Sequence, residues 1–365
     1  MFHQFDFDPA VLHSVAGGRS AIDVPRLNVR SLEAADAFIQ SYGFDLKDPA
    51  TEDVLWYFHR RALVLLTERL GFPENEIPED IKDRRSMEDI RKLLLWASST
   101  DPREKNHQRW SCAILRCMHV YVHAENDLFS FFSEDIQAQI LTPLQEAVIH
   151  DGAANKVFLR RTSEGREPVE LLGFHFKALK TSASTVIKLL AKPDALAMKV
   201  FDKLGVRFVT KNPFDSFRVV RGLIEENLVS FPHVMPDQSS NNLYPVDLFL
   251  NVCTELQSQN RDFTDEEVNA VFEQRLNEAG ESGFFRKANA QSDPNFRFIK
   301  FITRKLIRVQ LPGKDPFSFF YPFEVQILDE KAHEIIKAGP SDHDAYKERQ
   351  REAARKRLFP DVETT

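Results

Sequence analysis

Two carboxylates on apolar strands are the first residues whose type and placement could do chemistry. Asp202 stands at the entrance to GVRFVT (205–210), and Glu324 lies inside FEVQIL (323–328). Side chains alternate along a strand, so Glu324 and Gln326 share one face. A carboxylate in an otherwise apolar strand is costly if buried and unpaired, so Glu324 must be exposed, paired or part of a site. Lys177, Lys180, Lys188, Arg207 and Lys211 bring positive charge from neighbouring segments. Two carboxylates amid cations are what metal-assisted phosphoryl transfer requires: Mg²⁺ takes one or two carboxylates and leaves its other positions to phosphate and water. The same residues could equally form a solvated sheet face laced with ion pairs.

Other constellations are weaker. His119 and His123 stand four apart on one predicted helix, a spacing that can hold a metal. No glutamate completes an HExxH arrangement, and Cys112, Met118 and Val122 read as core. His150-Asp151 resembles half of a phosphohydrolase pair, but Gly152 and a loop follow. Neither is expected to form a hydrolase centre. With only 13 glycines the chain shows no phosphate-cradling loop, no GxSxG elbow and no Cys-His pair. The stretch 296–310 is different. It carries Arg297, Lys300, Arg304, Lys305 and Arg308 with no acidic residue between them. Alternation puts Lys300, Arg304 and Arg308 on one face with Phe296, Phe298 and Ile302, and Arg297 and Lys305 on the other. Phe296 beside Lys300 would pair a stacking ring with a phosphate-binding cation, as single-stranded nucleic-acid sites do. The bland alternative is long side chains snorkelling from a half-buried sheet.

The elements that must position these residues fall into two halves. Residues 1–30 read as an irregular arm. Helical periodicity then runs to about residue 150: 54–72 with Asp48 or Thr51 as cap and Gly71 as stop, a helix opened by Ser86, then 110–128 and 135–148. From there the pattern mixes strands (156–161, 171–179, 205–210) with helices at 184–191 and from Asn212-Pro213 to Glu225. A helix capped by Thr264 ends at Gly280, the strands 296–310 and 319–329 follow, and a charged helix spans 343–359. The sequence therefore predicts an α+β protein: a helical domain over 1–152, a mixed sheet flanked by helices over 153–338 with a helical insertion at about 228–294, and a charged C-terminal helix and tail over 339–365.

Four segments, in order, resemble the synthetase domain of the RelA/SpoT family: KTSASTVIKLL (180–190), FDKLGVRFVT (201–210), DSFRVVRGLI (215–224) and EVQILDEKAHE (324–334). Lys180 with Ser184 resembles the family's K-S-x-x-S element, and Asp202 with Arg207 its Asp-containing strand. Glu324, Gln326, His333 and Glu334 resemble its E-[IV]-Q-[IV]-R-T…H-E strand and helix. The likeness covers roughly residues 170–336. The G-Y-x-S-x-H element is replaced, with Phe296 at the tyrosine and Lys300 at the histidine, while Leu328 and Asp329 stand at the Arg-Thr positions. The resemblance implies a nucleotidyltransferase-like fold and a pyrophosphokinase that uses ATP and Mg²⁺. Asp202 and Glu324 would be the catalytic, metal-holding carboxylates. Lys180, Ser184, Lys188, Arg207, Phe296, Lys300 and Gln326 would bind nucleotide and phosphate, and the acceptor would be a nucleotide or an RNA 3′-hydroxyl. A non-catalytic nucleotide- or RNA-binding protein on the same fold is the alternative.

Composition sets the outer bounds. The 365 residues are 42% hydrophobic and 28% charged, enough for a sizeable core, and the net charge of −7 excludes a globally basic nucleic-acid binder. Three cysteines are too few for a disulfide framework. No apolar run reaches the length of a spanning helix, and the N-terminus has no secretory pattern. A cytoplasmic chain without a membrane partner is expected. Thirty-one phenylalanines predict a strongly aromatic core.

Overall fold

The computed structural model describes residues 8–125, 128–162, 167–176, 182–192, 203–280, 283–285, 297–338 and 340–360. They form an α+β protein whose chain divides into two compact units, neither continuous in sequence. The first comprises Met1–Asp127, Lys180–Val200 and Lys347–Thr365; the second comprises Leu128–Leu179 and Phe201–Tyr346. Among the described residues, no helix is long and apolar enough to cross a membrane.

The first unit is helical. Its N-terminal stretch is not wholly irregular, since α1 (Pro9–Val15) forms there. Ser31 caps α2 (Leu32–Tyr42) by accepting from the Ala34 amide, and Gly43 closes it at φ 110°, a left-handed conformation suited to glycine. Asp48 caps α3 (Pro49–Val64), with Pro49 in the first turn, where its missing N–H costs nothing. Ser86 does not open the next helix. Asp83 does, accepting from the amides of Arg85 and Ser86 at 2.8 Å, so Ser86 is inside α4 (Arg84–Met87), which stops at Glu88 before α5 (Lys92–Ala97) begins. Trp110, Ala113, Ile114, Cys117, Val120 and Tyr121 recur at three and four spacing along α6 (Lys105–Glu125) and are buried. Two distant segments complete this core: Val186, Leu189 and Leu190 of α8 (Ser182–Ala191), and Ala354, Leu358 and Phe359 at the end of α13 (Pro340–Leu358). Arg357 pairs with Asp23 at 2.6 Å and donates to the carbonyls of Leu189 and Leu190, a cation set against the C-terminal carbonyls of a helix.

The second unit begins with α7 (Leu128–Glu146), kinked at Phe132. A three-stranded antiparallel sheet follows: β1 (Val148–Asp151), β2 (Lys156–Leu159) and β3 (Val169–Leu171). The stretch expected as one strand at 171–179 is divided, because β3 and β4 (Gly173–Phe176) join different sheets. The larger sheet contains β4, β5 (Gly205–Thr210), β6 (Ser240–Asn241), β7 (Ile299–Val309) and β8 (Phe317–Asp329), in the order β4-β5-β8-β7-β6. Only β5 and β8 are parallel. Pro322 is tolerated within β8 because it lies beyond the start of β5, where that side of the strand has no ladder to lose. Odd-numbered Phe301, Phe323, Val325 and Ile327 face a core shared with α7 and with Val219 and Leu223 of α9 (Pro213–Glu225). The segment after α9 supplies α10 (Val246–Ser258) and α11 (Asp265–Ala279), the latter with a full capping box from Thr264 to Glu267. The predicted aromatic core is concentrated here: Phe217 stacks on Phe249 with centroids 3.9 Å apart, and Tyr244 and Phe272 close around them. After β8 the chain turns directly into α12 (Glu330–Ala338).

Candidate active site

Register assembles a polar row on the sheet face opposite the apolar one. His175 of β4 stands across from Arg207 of β5, Arg207 across from Gln326 of β8, Gln326 across from Lys300 of β7, and Lys300 across from Ser240 of β6. Cross-strand partners share a face, so all five strands contribute one residue each. Arg207 Nε donates to Gln326 Oε1 at 3.1 Å. One step along the same face, Glu324 lies between Gly205 and Ile302. Gly205 adds no side chain beside it, which leaves room next to the carboxylate. Glu324 is 3% exposed, and Lys300 Nζ lies 3.9 Å from its Oε2. The apolar strand therefore carries a buried and paired carboxylate, not a solvated one.

Arg207 is the most telling member. Burial lowers its guanidinium below the ordinary arginine value. Among the described residues no carboxylate forms an ion pair with it, and its hydrogen-bond partner is a neutral amide. At the β4 end of the row, His333 of α12 stacks on His175, centroids 5.8 Å apart. Farther along the face, Arg304 lies 5.6 Å from the centroid of the half-exposed Phe320 ring, and the His233 ring meets Phe320 edge-on with centroids 5.0 Å apart. Lys305, on the odd face, is pushed down by burial, as the split of charge across β7 requires.

Arg207, Lys300, Glu324 and Gln326 are thus gathered on one face. Ser184 and Lys188 belong to α8 in the helical unit. Asp202, Lys180 and Phe296 lie outside the described residues. Asp329 is buried and caps α12 by accepting from the Ala332 amide at 2.8 Å; burial raises its carboxyl. It also lines a polar cavity of about 300 Å³ with Lys211, Arg297 and Lys331, at the carboxyl ends of the two parallel strands. His175 and Ser240 were not singled out from sequence. His175 stood in a segment read as a strand, but β6 has two residues and no periodicity to detect.

The donor chemistry suits Mg²⁺: Glu324 is a hard oxygen ligand, and one or two such carboxylates are its usual protein complement. Among the described residues, no cluster of three or more His, Cys, Asp or Glu side chains forms a metal cage. His119 and His123 instead meet Tyr42, whose Oη is 2.6 Å from His119 Nδ1 and 3.4 Å from His123 Nε2. His150 and Asp151 fall on β1, where Asp151 accepts from the Ala153 and Ala154 amides.

No family model matches this sequence, and no curated protein does. Among solved structures, the chain is similar to small alarmone synthetase 1 from Bacillus subtilis at 12% identity, covering 62% of this chain and 88% of that one, with a TM-score of 0.31. It is also similar to a GTP pyrophosphokinase family protein from Streptococcus pneumoniae at 13% identity, over 62% and 86% of the two chains, with a TM-score of 0.28.

Proposed function

We propose that this chain is an ATP-dependent pyrophosphokinase that moves pyrophosphate onto a nucleotide or an RNA 3′-hydroxyl. The observation that carries the proposal is Arg207: a half-buried guanidinium whose one hydrogen-bond partner among the described residues is neutral, on the same face as a buried carboxylate and a lysine. An anionic ligand would complete it, and a polyphosphate matches a face on which Arg207 and Lys300 flank Gln326. In the reaction, the acceptor hydroxyl oxygen bonds the β-phosphorus of ATP as the bond from that phosphorus to the α–β bridging oxygen breaks, and AMP leaves. Arg207 and Lys300 stabilise charge developing on the phosphoryl oxygens, the role preorganised cations fill in phosphoryl transfer. Glu324 either accepts the hydroxyl proton or holds Mg²⁺ together with Asp202, which is three residues before Gly205, the register partner of Glu324. Bound there, Mg²⁺ would supply charge neutralisation on the phosphates.

The test is incubation of the purified chain with Mg-ATP and, separately, GDP, GTP, ADP and tRNA. AMP formation matched by a pyrophosphorylated acceptor supports the assignment. Tight ATP binding without AMP formation on any acceptor would favour the non-catalytic nucleotide-binding alternative.

A further inference from the structure

An apolar cavity of about 360 Å³ lies inside the helical unit. That is more than twice the roughly 150 Å³ of apolar space that suffices to admit benzene, and it falls within the size range of small-molecule sites. Ile39, Leu55, Ile90, Leu94, Met118 and Val122 form an aliphatic wall. Phe38 and Tyr42, on α2, are 40% and 38% exposed, so the mouth lies along that helix. Arg116 is the one charged residue among the described lining, and its guanidinium is already committed: it donates to Val24 O at 2.8 Å and Leu358 O at 2.7 Å. The polar end is the Tyr42 hydroxyl with His119 and His123. Burial first, and the neighbouring His123 second, hold the His119 imidazole down at about 4, so it is neutral near neutral pH.

We propose that this cavity binds a small uncharged amphiphile, with a hydrocarbon body against the aliphatic wall and a single hydroxyl or carbonyl meeting Tyr42 and His119. Among the described residues a charged head group has no available counter-ion at that end, whereas a neutral one joins an existing hydrogen-bonded cluster. The inference is independent of the sheet face and of the activity proposed for it.

Calorimetric titration of the full chain with 1-nonanol and with nonanoate tests it, near neutral pH where nonanoate is ionised. The expected result is one site per chain for nonanol, with nonanoate weaker by about ten-fold or more. Tyr42→Phe should weaken nonanol several-fold. Leu94→Trp, which fills the cavity, should abolish binding, and the milder Ala97→Leu should reduce it while leaving the helical circular dichroism unchanged. No heat from nonanol up to its solubility, tighter binding of nonanoate, or undiminished binding by Ala97→Leu would each overturn the proposal.

Discussion

Arg207 is half-buried and Lys300 lies 3.9 Å from the buried Glu324 carboxylate; under the proposed function, phosphate oxygens would replace the solvent these cations have lost. Replacing Lys300 with Ala should therefore weaken ATP binding by about 1 to 3 kcal/mol, the size of one hydrogen bond to a charged group; equilibrium titration reads this directly, and unchanged affinity would leave β7 as scaffold. Elsewhere, His59 is buried and its ring donates to Ile81 O at 3.0 Å, with burial holding its pKa down at about 4. The unfolded chain takes up this proton near the ordinary value of about 6.5, the folded chain only near 4. Stability from this group is complete above the upper value and falls as pH drops toward the lower one, by about 3 kcal/mol in full. Urea midpoints across that window should fall less steeply for His59→Gln than for the parent; equal slopes would contradict the assignment. Glu324, Gln326 and Arg207 are legible as candidates because a charged or strongly polar side chain inside an alternating apolar strand is anomalous by itself. His175 is not, because its place in the row depends on pairing with Arg207, a cross-strand relation that local pattern does not encode.

At the scale of elements, the clearest local signals are the caps of α9 and α11. Asn212 accepts from the Asp215 amide at 2.8 Å, Pro213 occupies the first turn, and α9 runs to Glu225 as its sequence signals. Asn212→Ala should cost about 1 kcal/mol of stability, measurable as a shift of the urea midpoint, while Asn212→Gly should cost only a few tenths. Equal losses would mean that the side-chain cap is not what holds the helix start. Thr264 and Gly280 bound α11 in the same local way. The start of α4 is ambiguous in sequence because Ser86 and Asp83 both have capping side chains, and only the fold decides whose oxygen meets free amides. The break between β3 and β4 was invisible for a related reason: Leu172 donates to Val209 O, switching the chain from one sheet to the other within a continuous apolar run.

At the scale of the molecule, the helical unit is assembled from three stretches, and periodicity has no way to announce such an exchange. Leu189 and Leu358 are 1% exposed in a core whose other members mostly precede residue 125. Either residue replaced by Ala should destabilise the chain by about 2 to 5 kcal/mol, and a fragment ending at residue 127 should unfold without a cooperative transition. A cooperative melt from that fragment would show that α8 and the end of α13 are not needed. The central claim concerns the other unit. It is tested most directly by following terminal-phosphate-labelled ATP into GDP, GTP, ADP or tRNA with the parent chain and with Glu324→Gln. The account predicts a labelled acceptor with the parent, and a rate lower by about 100-fold or more with Glu324→Gln at an unchanged melting temperature. Label reaching no acceptor, or reaching one equally fast with the variant, would contradict it.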